Sequence, residues 1–245
     1  MKQYFFSADD FGYSPEINKA ILLCLKNNDI STASLMANME FTKEAIEIIR
    51  KEGLENRIGL HFNLTEGRPL SDDIKKKSKF CDNEGNFNAT RNERFIFLSK
   101  SEKKAVRKEL MAQFKILNEA GIKPAFIDSH KHIHEEFGIF KLVLAFSREM
   151  NIPKIRKAKN IGEQTFAKKL YRQYINSQIN TYSLARSSYF GSYIDYIACR
   201  KTNRIKHKKT TEIMIHPFLN EKNILYDFFH NEPLMPIFNQ VNNLK

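Results

Sequence analysis

The chain lacks tryptophan, has few cysteines, and contains no apolar run long enough to cross a membrane. Its 245 residues include three cysteines, at positions 24, 81 and 199, and no Cys-x-x-Cys pair, so we expect neither a disulfide framework nor a cysteine-based zinc site. A membrane-spanning helix needs about 20 apolar residues. The apolar start, residues 1–6, is too short for a secretion signal, since Asp9 and Asp10 follow at once. These absences predict a cytoplasmic protein that does not enter a membrane.

The charge of the chain is strongly one-sided. Forty Lys and Arg residues against 28 Asp and Glu residues give a formal net charge of +12. Such an excess raises the expectation of an anionic partner, nucleic acid included. Most of these charges fall on predicted amphipathic helices, so we favour a solvated lysine-rich surface, with nucleic acid as the weaker alternative. A homodimer stays open.

Strand and helix patterns alternate along the chain. Apolar runs predict strands at 2–7, 30–36, 57–64, 124–127, 152–156 and 211–217. Helical periodicity predicts helices at 14–27, 42–51, 101–120, 136–150 and 163–178, and a last one near 219–229. Residues 189–199 fit either state. The alternation predicts an α/β fold, a distorted (β/α) barrel of parallel strands with outer helices. With no repeat and no linker, we expect one domain over 1–245, with a polar excursion at 71–94 that is too long for an ordinary connection.

The richest stretch of the sequence begins at Asp128. It contains three of the seven histidines, His130, His132 and His134, at alternating positions after a short apolar run. Residues two apart on an extended backbone point the same way, so we expect these imidazoles to converge. Clustered imidazoles suit a divalent metal.

Other ionisable groups also follow predicted strands. In parallel α/β folds, functional groups gather at the carboxyl ends of the strands. Such ends carry Asp9 and Asp10, His61, Arg156 and His216, besides the histidine stretch. A lone histidine on a strand is more often a hydrogen-bonded core residue, and an Asp-Asp turn more often caps a helix. It is the joint pattern that indicates a site.

The chemistry that such a set permits is metal-assisted hydrolysis. Two imidazoles and one carboxylate leave coordination positions open for water and substrate. The metal makes bound water more acidic and polarises a carbonyl oxygen. A second carboxylate can then take a proton from the water, and a histidine can protonate the leaving group. We expect a divalent ion, Mg²⁺ or Zn²⁺, without a choice between them.

Four motifs, in this order, resemble those of the YdjC-like carbohydrate deacetylases, which include the chitooligosaccharide deacetylases. They are Ser7-Ala8-Asp9-Asp10-Phe11-Gly12, Gly59-Leu60-His61-Phe62-Asn63-Leu64-Thr65, Asp128-Ser129-His130-Lys131-His132-Ile133-His134 and Ile215-His216-Pro217. The resemblance implies a barrel-like fold and metal-dependent removal of an acetyl group from an N-acetylated sugar. Ser7 stands where the family usually has asparagine, and residues 71–94 and those after Lys157 match no motif.

The resemblance also implies roles for individual residues. Asp10, His61 and His130 are similar to the family's metal ligands, and Asp9 to its general base. His216 resembles the acid that protonates the leaving amine, and Arg156 an arginine that steadies the base.

The remaining polar residues of the third motif are expected around that centre. Asp128 would orient a ligand histidine. His132 and His134 would stand beside the ligands or line the substrate pocket, with packing within the loop as an equal alternative.

Two other functions remain open on the residues alone. The same ligands would serve a metal-dependent phosphoesterase or another barrel hydrolase, and the net charge would suit a phosphorylated substrate. A basic nucleic-acid-binding protein is the third reading, although no RNA- or DNA-binding motif is present.

Overall fold

The computed structural model describes residues 3–88, 95–206 and 208–244. Lys2, which opens the first predicted strand, and residues 89–94 of the polar excursion lie outside the described residues. The strands are β1 (Tyr4–Phe11), β2 (Thr32–Leu35), β3 (Ile58–Phe62), β4 (Ile127–Ser129), β5 (Tyr189–Ser192), β6 (Thr211–Ile215), β7 (Pro217–Leu219), β8 (Leu225–Asp227) and β9 (Glu232–Pro233). The helices are α1 (Pro15–Lys26), α2 (Thr42–Lys51), α3 (Asp72–Lys75), α4 (Lys100–Glu119), α5 (Phe137–Glu149), α6 (Phe166–Thr181), α7 (Tyr193–Lys201) and α8 (Leu234–Asn243).

Six parallel strands form the main sheet, in the order β4-β3-β2-β1-β6-β5. The sheet curls into part of a barrel with helices around it, which confirms the predicted α/β barrel-like fold. Single-residue bridges from Ile155 to Ile127 and to Ala185 extend the curl beyond β4. β1 lies in the middle, and its last six residues are buried. Because the six strands of this sheet are parallel, their carboxyl ends all lie on one side of it.

The first βα unit shows how local sequence fixes the chain direction. Ser14 caps α1 by accepting a hydrogen bond from the Ile17 backbone N–H at 3.3 Å, and Pro15 occupies the first helical position. That position needs no backbone donor and favours the φ that proline imposes. Gly12 has a φ of +93° and would bring a Cβ within 3.0 Å of the Met36 carbonyl oxygen, so the turn that follows the acidic pair requires glycine.

Several element predictions were wrong in detail. The residues predicted as a strand at 152–156 contribute only the bridges of Ile155, to Ile127 and to Ala185. Residues 189–199 are strand and then helix, since Ser192 and Asp195 form a capping box that starts α7. α4 begins at Lys100, one residue before the predicted helix at 101–120, because Ser99 and Glu102 form a capping box.

The predicted helix at 219–229 is the largest error. This segment starts at the last residue of β7 and contains β8, which pairs antiparallel with β7 on one side and with β9 on the other. Asn220 turns the chain, because its side-chain oxygen accepts hydrogen bonds from the backbone N–H groups of Lys222 and Ile224. The last helix is instead α8. Within the described residues, no helix combines the length and apolar character that a membrane crossing demands.

Candidate metal centre

Three strand ends bring together a carboxylate and two imidazoles. Oδ1 of Asp10, in β1, lies 3.1 Å from Nε2 of His61, in β3, and 2.9 Å from Nδ1 of His130, which follows β4. All three residues are at most 5% exposed. They stand 51 and 69 positions apart in sequence, and they meet because parallel strands end at one edge of the sheet.

The backbone at Asp10 explains how two adjacent carboxylates serve one site. Neighbouring side chains on a regular strand point to opposite faces. Asp10 instead has a φ of +69°, and the β1–β2 register shifts between Ala8 and Phe11. This conformation is sparsely populated by non-glycine residues. As a result Asp10 contacts His61 directly, while Asp9 lies close enough to the same imidazole to raise its pKa.

The groups of the cluster shift one another's pKa values. Burial alone would lower the pKa of His61, but the negative charge of Asp128 and hydrogen bonding to Asp10 outweigh it and raise the pKa to about 10. Burial likewise opposes ionisation of Asp10, yet its hydrogen bonds to His130 and His61 hold the pKa of that carboxyl well below its usual range. The pocket thus favours a positive charge between Asp10 and the imidazoles, supplied by a proton or by a cation.

The spacing of these atoms fits a metal ion. Two atoms that each lie about 2.0–2.2 Å from a tetrahedral zinc ion are separated by about 3.3–3.6 Å. The observed separations of 2.9 and 3.1 Å are a few tenths of an ångström shorter, so a slight widening would admit the ion. The donor set, one oxygen and two nitrogens, is one that divalent metals accept. The Nε2 atom of His130 is buried, and Glu66 Oε1 lies 3.5 Å from it.

A second trio of donors lies nearby and fits less well. Asp9, His61 and Asp128 also place one potential ligand atom each within 4.8 Å of the others. However, Arg156 lies 2.6 Å from Asp9 and 2.8 Å from Asp128. Because its guanidinium already neutralises both carboxylates, they have less affinity for a cation. The first trio is therefore the better candidate.

Arg156 is the centre of a buried charge network. It is fully buried and binds Asp9 through two parallel hydrogen bonds, from Nη1 at 2.6 Å and from Nη2 at 2.7 Å. Its Nε donates to Glu212 at 2.8 Å. Burial opposes ionisation of Asp9, but the charges of Arg156 and His61 outweigh burial and lower its pKa. Asp9 therefore stays ionised and fixed in orientation.

Asp128 contacts both His61 and Arg156. Its Oδ1 lies 2.7 Å from Nδ1 of His61, and Ser34 Oγ lies 3.0 Å from the same nitrogen. A carboxylate on one nitrogen of a histidine fixes the ring and leaves the other nitrogen as an acceptor. In His61 that other nitrogen is the one facing Asp10. The geometry therefore places Asp128 behind His61 and away from Asp10.

The histidine stretch does not run as an extended strand, so the expected convergence of its three imidazoles is wrong. Residues His130–Glu135 form a 3-10 turn in which Lys131 and His132 have φ values of 51° and 55°. Only His130 reaches Asp10. His134 turns to Ser129, whose Oγ lies 2.6 Å from its Nδ1, and His132 packs edge-on against Phe190.

His216 lies beyond β6, next to the charge network. β6 pairs in parallel with β1, with Ile215 opposite Ala8, so His216 follows β6 beside Asp9. The His216 backbone N–H donates to Asp227 at 2.9 Å, and the edge of Phe229 packs on its ring at a centroid distance of 4.2 Å. Its Nδ1 has no hydrogen-bond partner among the described residues. The imidazole is thus held at the site, and its Nδ1 is available for a further hydrogen bond.

Two acidic residues at the site were missed from the sequence. Glu212 neutralises Arg156, and also Arg186 at 2.7 Å. A glutamate inside an apolar strand is a signal that a buried cation faces it, so this residue was detectable. Glu66 lies 3.5 Å from His130 and contacts Lys131 more closely. A hydrogen bond to His130 leads the effects that lower the pKa of Glu66 to about 2. Nothing in the local sequence marks Glu66.

Comparison with known proteins identifies a family and relatives of this chain. A family model described as YdjC-like protein matches residues 4–237. The carbohydrate deacetylase of Clostridium beijerinckii is 37% identical over 175 residues, 71% of this chain and 68% of that protein. The carbohydrate deacetylase of Geobacillus stearothermophilus is 34% identical over 147 residues, 60% of this chain and 56% of that protein. The alignments thus leave about a third or more of each relative unmatched.

A solved structure has the same fold. The proposed cellobiose-phosphate cleavage protein of Enterococcus faecalis superposes with a TM-score of 0.69, covering 99% of this chain and 90% of that one. Its sequence is 21% identical, so the likeness concerns the architecture alone.

Proposed function

The chain belongs to the YdjC-like family, and on that premise we propose that it is a metal-dependent carbohydrate deacetylase that hydrolyses the acetamide of an N-acetylated sugar. One observation carries the proposal. Two adjacent carboxylates are divided, with Asp10 facing two imidazoles and Asp9 locked to a buried arginine. Metal-dependent amide hydrolysis uses that division, because one carboxylate would hold the metal that polarises the carbonyl group and the other would accept a proton from the attacking water.

The residues present fit a divalent ion. Asp10, His61 and His130 would hold it, with Mg²⁺ and Zn²⁺ both compatible with one oxygen and two nitrogens. When bound, such an ion supplies acidified water and polarises the carbonyl oxygen. Asp128 orients His61 from behind, through the 2.7 Å contact to its Nδ1.

Asp9 takes the proton from the attacking water. Both of its oxygens accept hydrogen bonds from Arg156, but a carboxylate oxygen has a second lone pair that can face the water. The low pKa of Asp9 keeps it ionised before the reaction. Arg156 positions Asp9 through these two hydrogen bonds.

His216 donates the proton that the departing amine needs. The water oxygen adds to the carbonyl carbon, the C–N bond breaks, and the products are acetate and a free amino sugar. His216 follows β6 beside Asp9, because Ile215 pairs with Ala8 of β1, and its Nδ1 has no hydrogen-bond partner in the described part of the chain. An imidazole can hand a proton to an amine at neutral pH.

A metal assay combined with a substrate assay tests this proposal. We expect about one divalent ion per chain and acetate release from N,N′-diacetylchitobiose that a chelator abolishes and added metal restores. Asp72→Asn, at an exposed carboxylate on α3, is the control and should leave both unchanged. Release of phosphate from p-nitrophenyl phosphate without acetate release would refute the deacetylase and favour a phosphoesterase.

Three further points belong to the same proposal. The site draws on residues from Asp9 to His216, which supports one catalytic domain over 1–245. The three cysteines are buried and free, which supports a reducing compartment such as the cytoplasm. His132 packs against Phe190, and Phe190 in turn lies under the Arg156 guanidinium, so His132 supports the wall of the pocket.

A further inference from the structure

A cavity of about 790 Å³ lies apart from the metal centre. The loop after Arg156, one side of α6, Tyr189 at the start of β5 and residues at and beyond the end of α7 form its walls. No residue of the metal trio and no partner of Arg156 lines it. Arg156 extends to Asp9, whereas the next residue, Lys157, reaches the Ser188 carbonyl and lines the cavity. The proposed deacetylase chemistry therefore leaves this cavity unused.

The lining of the cavity is strongly cationic. Its charged members are Lys157, Lys159, Lys169, Arg172, Arg204 and a single acid, Glu163. Two of the cations are already neutralised. Lys159 lies 2.7 Å from Asp195, and Arg172 lies 2.9 Å from Glu135.

Three cations remain without a carboxylate. Across the described ranges 3–88, 95–206 and 208–244, no ion pair involves Lys157, Lys169 or Arg204. Lys169 and Arg204 are exposed at the rim, where water can solvate them.

Lys157, by contrast, is largely shielded from solvent. It is 6% exposed, and its ammonium has one weak acceptor, the Ser188 carbonyl oxygen at 3.4 Å. An ammonium carries three donors, so two of them lack a partner among the residues that the structure describes. A buried cation without a counter-charge is destabilising. Burial and the charge of Lys209 both lower the pKa of Lys157. An anion in the cavity would supply what is missing.

We propose that this cavity binds a soluble organophosphate of about the size of a sugar phosphate. Lysine and arginine are the side chains that recognise phosphate. The volume lies within the range of small-molecule sites, about 300–1,000 Å³, and exceeds what an inorganic anion fills. Gln173, Ser177 and Asn180 from α6 line the same space and can bond the hydroxyl groups of the remainder of the ligand.

The test is calorimetric titration of the full chain with glucose 6-phosphate, glucose and inorganic phosphate at constant ionic strength. The double variant Lys169→Gln/Arg204→Gln removes two rim charges at exposed positions. Lys115→Gln/Lys123→Gln, also exposed and away from the cavity, is the matched control for net charge. We expect saturable binding of glucose 6-phosphate, weakened about tenfold or more in the cavity variant and less than about twofold in the control. Glucose should not bind at the same concentrations.

Several results would overturn the proposal. Equal weakening in both double variants would show diffuse attraction by the +12 chain. The absence of saturable binding would exclude the site. Tighter binding of a single-stranded oligonucleotide, competing with glucose 6-phosphate, would indicate a nucleic-acid surface instead. Lys157→Met provides the remaining check. If it is folded by circular dichroism and binds as the natural chain does, the buried ammonium is not part of the site.

Discussion

Asp9→Asn is the substitution that tests the division of the acidic pair most directly. The change keeps the size of the side chain and removes its negative charge. Asp10, His61 and His130 are untouched, so we expect the variant to bind metal as the natural chain does. It should lose turnover, because an amide is not a base. The prediction separates the roles of two neighbouring carboxylates.

The magnitudes follow from the contacts of Asp9. General base catalysis contributes about 100- to 10,000-fold to a rate, so kcat should fall by that factor, which is about 3–5 kcal/mol in the barrier. Asparagine can accept only one of the two hydrogen bonds that Arg156 donates, at 2.6 and 2.7 Å. A hydrogen bond to a charged group is worth about 1.5–3 kcal/mol. The free energy of unfolding should fall by about that amount, which leaves a typical domain folded.

Three measurements on the same preparation decide the outcome. Metal content by mass spectrometry, urea unfolding and acetate release from N,N′-diacetylchitobiose are compared with the natural chain and with Asp72→Asn. Normal hydrolysis by metal-loaded Asp9→Asn would show that Asp9 is not the base. Loss of metal from Asp9→Asn would show instead that the second trio holds the ion.

Further substitutions test other parts of the site. Asp10→Asn and His61→Ala should each lose bound metal, by at least about tenfold in affinity, and with it acetate release; retention of the ion by either would place it elsewhere. Arg156→Lys keeps a positive charge but cannot form parallel hydrogen bonds with a carboxylate, so kcat should fall while metal binding remains; unchanged kcat would remove Arg156 from the positioning of the base. Gly59→Ala should destabilise the fold by about 1–3 kcal/mol, because a Cβ there would lie 2.5 Å from the Phe126 ring, and an unchanged urea midpoint would contradict this packing.

The sequence predicted the strand and helix alternation well where local signals were complete. The start of α1 follows from Ser14 and Pro15, and the positions of β1, β3 and β6 follow from apolar runs. It failed at 219–229, where apolar and polar residues fit a helix but an asparagine turn and pairing with β9 decide for strands. Strand pairing between distant segments overrides a weak local preference.

The site shows the same limit. Ionisable residues at strand ends were visible in the chain, and parallel strand order is what brings His61 and His130 within 3.1 Å of the same carboxylate oxygen of Asp10. The geometry of the histidine stretch was not visible, because two left-handed residues redirect it. Nor was the pairing of Arg156 with Glu212, which joins residues 56 positions apart.

The sequence by itself therefore determined which side chains stand at the ends of which strands, since periodicity and turn residues act over a few neighbours. Only the tertiary structure decided which groups each of these side chains contacts. The left-handed backbone at Asp10 and the burial of Arg156 direct one carboxylate of the pair to the imidazoles and the other to a guanidinium. Charges interact through space across a curled sheet, and no local pattern in the chain records which of them will meet.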